Sequence, residues 1–305
     1  MRNRAQLSVG TRVGGRSKKS LVPVHEGTGR QQLRRFLRHR VGMAGAVLFA
    51  IFSISALLAP VIADYSPIEM NLGTPLTPPG IKFPLGLDSL GRDLLSRTLY
   101  GARISIGVGT TVTVIAVLGG GLVGLIAGYY KGLLDRALMR VMDAFLSFPD
   151  ILLAMALSVM LGMNLRSAII ALGIVYAPRC ARVVRSSVLS IAETEFILAA
   201  RAIGARDHII LMRHIAPNLV GPILVMGSYL FGHAIISEAA LSFLGIGTQP
   251  PNPSWGLMLN DARRFLTSEF WYPLVPGCAI LLAVLSINLL GDGLRDVLDP
   301  SLRDR

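Results

Sequence analysis

Six stretches of the chain are apolar for long enough to cross a bilayer: 41–63, 104–130, 144–162, 167–182, 219–247 and 272–291. A helix needs about 20 mainly apolar residues to traverse the hydrocarbon core. Lipid offers backbone groups no water to bond, so each stretch is predicted to be helical. The second is rich in glycine, as in "VLGGGLVGLIAG". Asn164 and Arg166 mark a very short turn between the third and fourth. The fifth is long enough to predict a tilt or a break. In the third, Pro149 predicts a kink, with Asp150 just beyond it at the mouth of a vestibule.

The interval between the first two stretches opens with "DYSPIEMNLGTPLTPPGIKFP", whose prolines predict an extended loop. Leu90, Leu94, Leu95 and Leu99 then recur at helical spacing, with Asp88 or Ser89 as the cap. This predicts an amphipathic helix leading into the second span. A later polar interval, "GTQPPNPSWGLMLNDARRF" at 247–265, predicts a rigid loop with Trp255 at the membrane interface.

Charge sharpens the picture. Of 305 residues, 52% are hydrophobic and only 16% charged, yet the net charge is +12. Soluble domains carry about a quarter charged residues. The positive residues are scattered between apolar runs and form no stripe with interleaved aromatics, which argues against nucleic acid as a partner. With the N-terminus placed in the cytoplasm, 23 of the 30 Lys and Arg fall in cytoplasmic segments (1–40, 131–143, 179–218 and 292–305). The positive-inside rule therefore predicts that both termini are cytoplasmic. The basic lead 1–40, with "RRFLRHR", is expected to lie against anionic lipid headgroups. It is too long, and the apolar run after it too extended, for a cleaved signal sequence. Cys180 and Cys278 fall on different spans and read as packing residues.

One cytoplasmic interval stands out: "ETEFILAARAIGARDHIILMRHIAPN", 193–218. Thr194 is placed to cap a helix with Glu195 in its first turn. Phe196, Ala199, Ala200 and Ile203 share one face, and Gly204 is placed to end it. Asp207 is placed to cap a second helix containing Ile210, Leu211 and Ile215, with Pro217 closing it. Two readings of this pair stay open on physical grounds. One is a surface for a partner, with small residues allowing close approach and arginines as rim contacts. The other is a pair of helices lying on lipid headgroups.

The pattern A-A-R-A-x-G-A, eight residues, then H-I-x-P-N resembles the "EAA" cytoplasmic loop of ABC importer permeases. Three more stretches are similar to the C-type permease of dipeptide and oligopeptide importers: "LGLDSLGRDLLSRTLYGARIS", "EAALSFLGIGTQPPNPSWGLML" and "NLLGDGLRDVLDPSLR". Leu198 stands where the loop's name expects glutamate, and Leu87 where threonine is common; neither disturbs the helix–glycine–helix logic. The resemblance implies an all-α polytopic membrane protein with six transmembrane helices and a type I ABC importer permease core at 104–292. Ahead of that core lie a basic tail, 1–40, and a first span with its external segment, 41–103; a short tail, 293–305, follows it. It also implies that Ala199, Ala200, Arg201, Gly204, Ala205, Arg213, His214, Ile215, Pro217 and Asn218 dock ATPases.

The energy source lies elsewhere. A phosphate-binding loop needs glycine directly before its lysine. Lys18, Lys19, Lys82 and Lys131 follow Ser17, Lys18, Ile81 and Tyr130 instead. The resemblance implies a non-catalytic subunit in the bacterial inner membrane that binds no cofactor itself. ATP and Mg would sit on two partner ATPases, beside a B-type permease and an extracytoplasmic substrate-binding protein that could touch 247–265. Peptides are the implied cargo; glutathione and nickel complexes belong to the same group. Glu238, in "ISEAALSFLG", and Asp150 are the candidates for the pathway or its gate. A proton-coupled transporter working through Glu238 is the rival, yet no inverted repeat is evident. A membrane scaffold without transport is another. No spacing suits a metal.

Overall fold

The computed structural model describes residues 29–298. Among them there are only helices, turns and one isolated bridge between Leu87 and Asp93. The helices are α1 (Gly29–Arg38), α2 (Arg40–Leu57), α3 (Ala59–Ile62), α4 (Leu94–Tyr130), α5 (Gly132–Leu146) and α6 (Asp150–Met160). Then follow α7 (Leu165–Ala192), α8 (Glu195–Ala202), α9 (Asp207–Ile209), α10 (Val220–Phe243), α11 (Trp255–Ala262) and α12 (Trp271–Leu298). Five are long and apolar enough to span a bilayer: α2, α4, α7, α10 with its run-in from Asp207, and α12. The pair α5 and α6, bent by 93°, makes a sixth when the two are taken together as one span.

α4 is the spine. Asp93 caps it by accepting from the Ser96 amide at 2.7 Å and hydroxyl at 2.6 Å. Its 37 residues run about 55 Å, well beyond one membrane thickness. Gly120, Gly124 and Gly128 recur every four residues along the face that meets α7. A Cβ on the first two would collide with the carbonyls of Ala177 and Ala181. Small residues at this spacing let two backbones close up, and dispersion then holds them where lipid offers no hydrophobic drive.

The core has two centres. One gathers side chains of α4, α6, α7, α10 and the 193–218 interval around Tyr176, Val184 and Leu230. The other lies between α2, α4, α10, α11 and α12 around Trp255. Pairings fix the two ends of the bundle. Lys131 reaches Glu193 at 3.2 Å, His39 reaches Asp296 at 3.2 Å, and Gly221 lies beside Leu298. Residues 39, 131, 193–221 and 296 thus share one end, the proximal end. The segments 58–93, 161–164 and 244–270 form the distal end.

Several expectations change. The helix leading into the second span starts at Leu94, not near Leu90. Asp88 spends its carboxylate on the amides of Leu90 and Arg92, each at 2.9 Å, and Gly91 turns there with φ +69. The helix of the fourth span does not end at 182 but continues to Ala192. The third is no single kinked helix: α5 ends at Leu146, α6 has only 11 residues, and the two meet at 93°. Trp255 is no interfacial anchor. It is fully buried, with Nε1 donating to the Thr98 carbonyl at 3.0 Å and Gly101 making room for the ring.

Candidate functional site

α7 runs into the proximal interval through Glu193, and α8 follows at once. Thr194 sits at the cap position but does not cap. Its hydroxyl donates backward to the Ile191 carbonyl at 2.6 Å, sealing the end of α7 instead. α8 closes on Gly204, whose φ is +78. The Gly204 amide donates to Arg201 at 3.0 Å and the Ala205 amide to Ala200 at 3.1 Å. These two bonds form a Schellman closure, which favours glycine because an L side chain is strained in that backbone region. Nothing lies within 4 Å of where a Cβ would be, so the demand comes from the backbone alone.

Beyond the bend Asp207 is the first residue of α9, not its cap. Nor does Pro217 close a helix. A π-helical stretch, Ile210–Ile215, passes into a 3-10 turn, Ala216–Leu219, and that turn flows into α10. Pro217 is tolerated because a first-turn position needs no N–H donor.

The interval has an inner and an outer side. Ile197, Ala200, Ile210, Ile215 and Leu219 are buried in the core against α7. Tyr129, near the end of α4, clamps both halves: its hydroxyl donates to Asp207 Oδ1 at 2.7 Å, and the Arg201 guanidinium lies 5.1 Å from its ring centre. The outer side carries Phe196, Leu198, Ile203 and Met212, the last two 86% and 70% exposed. Ala199, Arg201, Arg206, Arg213, Pro217 and Asn218 are exposed around them. His214 is half-buried, 6.4 Å from the Phe196 ring, and its carbonyl accepts from Asn218 Nδ2 at 2.6 Å. Among the ten expected docking residues, then, Ala200 and Ile215 anchor the joint from inside rather than facing outward, and Ala205 is half-buried. Phe196, Leu198, Ile203 and Met212 lie outside that set. Large exposed apolar residues in an otherwise anchored segment are their signal.

The two pathway candidates belong to separate networks. Glu238 is fully buried, and its Oε1 accepts from Ser242 at 2.6 Å and Thr248 at 3.0 Å. It thereby staples the distal turn onto α10. Asp150 is partly exposed and ion-paired to Arg179. Two more aspartates meet α7 on the same side: Asp143 with Arg182 at 2.7 Å, and Asp135 with Arg185 through two bonds at 2.5 and 2.6 Å. Arginines at every third position bolt the bent α5–α6 pair to α7.

At the distal end Asp88, fully buried, holds Arg92 at 2.5 Å and lies 3.4 Å from Arg97. Arg92 also reaches Asp261 of α11 at 3.3 Å, and Arg97 donates to the Pro67 carbonyl at 3.0 Å. Burial pushes the Asp261 carboxyl above its ordinary range, against the opposing pull of Arg92 and Arg97.

A chain with this bundle, and with this joint between α7 and α10, has close relatives. Residues 120–304 match the family described as binding-protein-dependent transport system inner membrane component. This chain belongs to that family. Residues 28–79 further match the N-terminal TM domain of oligopeptide transport permease C. The permease is 47% identical over 270 residues to a putative peptide transport system permease protein of Brucella abortus, covering 88% of this chain and 91% of that one. It is 42% identical to the dipeptide transport system permease protein DppC of Alkalihalophilus pseudofirmus, covering 90% of each. It is 44% identical to a glutathione transport system permease protein of Escherichia coli, covering 88% of this chain and 89% of that one. The solved MetNI methionine ABC transporter, inward facing, shares the fold: TM-score 0.56 at 19% identity, over 68% of this permease and 98% of that chain.

Proposed function

We propose that this permease is one half of the translocation pathway of an ATP-driven importer of short peptides. The observation that carries this reading is the two-sided joint at 193–218. Its inner side is locked to α4 and α7, while its outer side presents an apolar ridge ringed by Arg201, Arg206 and Arg213. Such a ridge with a polar rim suits a protein groove. We read the groove as that of a partner ATPase, which places the proximal end and both termini in the cytoplasm. The excess of Lys and Arg there supports the orientation. Relatives named for peptides, dipeptides and glutathione support a peptide-class cargo.

In this mechanism ATP binding draws two ATPases together beneath the membrane. Each ATPase carries its docked joint with it. Because α7 and α10 enter the joint without slack, its displacement reaches both spans as a rigid movement. A B-type permease supplies the other half of the path. A binding protein delivers cargo at the distal end, with 247–265 as its contact surface. ATP hydrolysis and Mg belong to the ATPases; this chain transmits and gates.

Gly204→Val tests the joint. A β-branched side chain in the left-handed region costs about 1–2 kcal/mol locally, which should spare membrane insertion yet tilt α8 off its seat. Affinity purification of the wild type should bring down two P-loop ATPases and a second permease. The variant should insert normally and lose most of the ATPases. Full ATPase recovery together with normal dialanine uptake would refute the docking role.

A further inference from the structure

Asp150 and Arg179 are opposite charges placed inside a spanning layer. Arg179 lies 14 residues into α7, counted from Leu165, about 21 Å from its distal end. Asp150 opens α6 just past the bend. Their side chains stay 23% and 29% exposed. The other two aspartate–arginine pairs, at Asp143 and Asp135, lie nearer the proximal end. Arg179 also rests 5.7 Å from the Tyr176 ring centre. The Tyr176 hydroxyl is 2.6 Å from Ser237 Oγ and 3.4 Å from the His233 carbonyl, which ties the pair to α10. On α10, the Tyr229 and His233 rings lie 4.3 Å apart with planes tilted by 48°, and Tyr229 is 45% exposed. One acid, one guanidinium, a phenol and an imidazole thus converge from three helices.

Ionised side chains in a spanning layer do not leave an open edge toward lipid; they face the bundle interior or a water-filled path. The exposed edge of Asp150 and Arg179 therefore looks onto the route between the two permease halves. Neither group is committed to a second charged partner among the described salt bridges.

We infer that this pair is a way-station for ligands bearing one carboxylate and one ammonium, the two ends of a free peptide. The inference rests on the peptide reading of the cargo. The guanidinium fork of Arg179 takes the carboxylate, and Asp150 takes the ammonium. One internal ion pair opens as two intermolecular pairs form, so no charge is left uncompensated in the low-dielectric layer. When the ligand leaves, the pair closes again. This favours weak, reversible occupancy, as transport requires.

The test is saturation-transfer NMR on the complete receptor-free complex in nanodiscs, with dialanine, dialanine amide and N-acetyl-dialanine as probes. Dialanine should bind the wild type at least about tenfold more tightly than either capped form. Arg179→Gln should weaken dialanine about tenfold and leave the amide unchanged; Asp150→Asn should leave the N-acetyl form unchanged. Copurifying ATPases report that each variant is assembled. If Arg179→Gln does not assemble, Arg179→Lys keeps the charge, loses the fork, and should weaken dialanine alone about threefold. Unchanged dialanine binding, or an equal loss for all three probes, overturns the station and leaves an ordinary structural pair. If the wild-type complex with its receptor imports dialanine while the probes do not discriminate, only the station fails. If it imports no peptide, the cargo reading fails and the station with it.

Discussion

The two ends of the bundle use arginine in opposite ways. At the distal end Arg92 and Arg97 are buried and share Asp88 and Asp261, so that loop, α4 and α11 form one block. At the proximal end Arg206 and Arg213 are exposed, outside the described salt bridges, and stand beside exposed Phe196, Ile203 and Met212. Burying a charge is expensive unless it is paired, and a paired cluster resists rearrangement. Exposed arginine costs little and stays available. One end is built to hold its shape, the other to be held.

Breaking the distal block should have the largest effect. Asp88→Ala leaves two buried guanidiniums with Asp261 as their one carboxylate, and removing one partner of such a buried pair costs about 3–5 kcal/mol. Thermal unfolding of the purified complex should shift down by many degrees, or the protein should fail to accumulate; an unchanged melting curve would contradict the block. A proximal substitution sharpens the contrast. Met212→Ser should leave stability within about 0.5 kcal/mol while weakening ATPase capture about tenfold, the worth of one buried apolar side chain. Titration of ATPase into the permease in nanodiscs measures it, and equal affinity would remove Met212 from the docking ridge. Smallest is Tyr129→Phe, which deletes the bond to Asp207 at a cost of about 1 kcal/mol. Hydrogen exchange should quicken about fivefold around 205–212, with α4 unaffected; unchanged exchange would mean that the clamp contributes nothing.

How much of this could be read from residue order depends on range. The spans were legible because hydropathy over 20 residues is a coarse signal that tertiary contacts rarely reverse. Gly204 was legible because a left-handed turn selects one residue type. Caps failed where a side chain found better work. Asp88 turned to Arg92, Thr194 bonded backward to Ile191, and Asp207 accepted from Tyr129. Long-range partners stayed invisible: Tyr129 and Asp207 are 78 positions apart, Arg92 and Asp261 169. Pro149 announced a bend, but not one of 93°, nor the three aspartates of α5 and α6 that meet arginines on α7 29 to 50 positions away. Pro217 announced a stop that the π-helical stretch made unnecessary.

From Asp207 to Phe243 one helical turn follows another, changing pitch three times but never giving way to coil. Such a segment is laid out like a drive shaft, with no coil between the joint at Asp207 and the staple on Glu238 to absorb a twist. Each residue advances an α-helix by about 100°, so the angle between the exposed ridge and Glu238 is set by counting. That stretch can therefore change its letters, but a single insertion or deletion would turn the exposed ridge out of phase with the Glu238 staple.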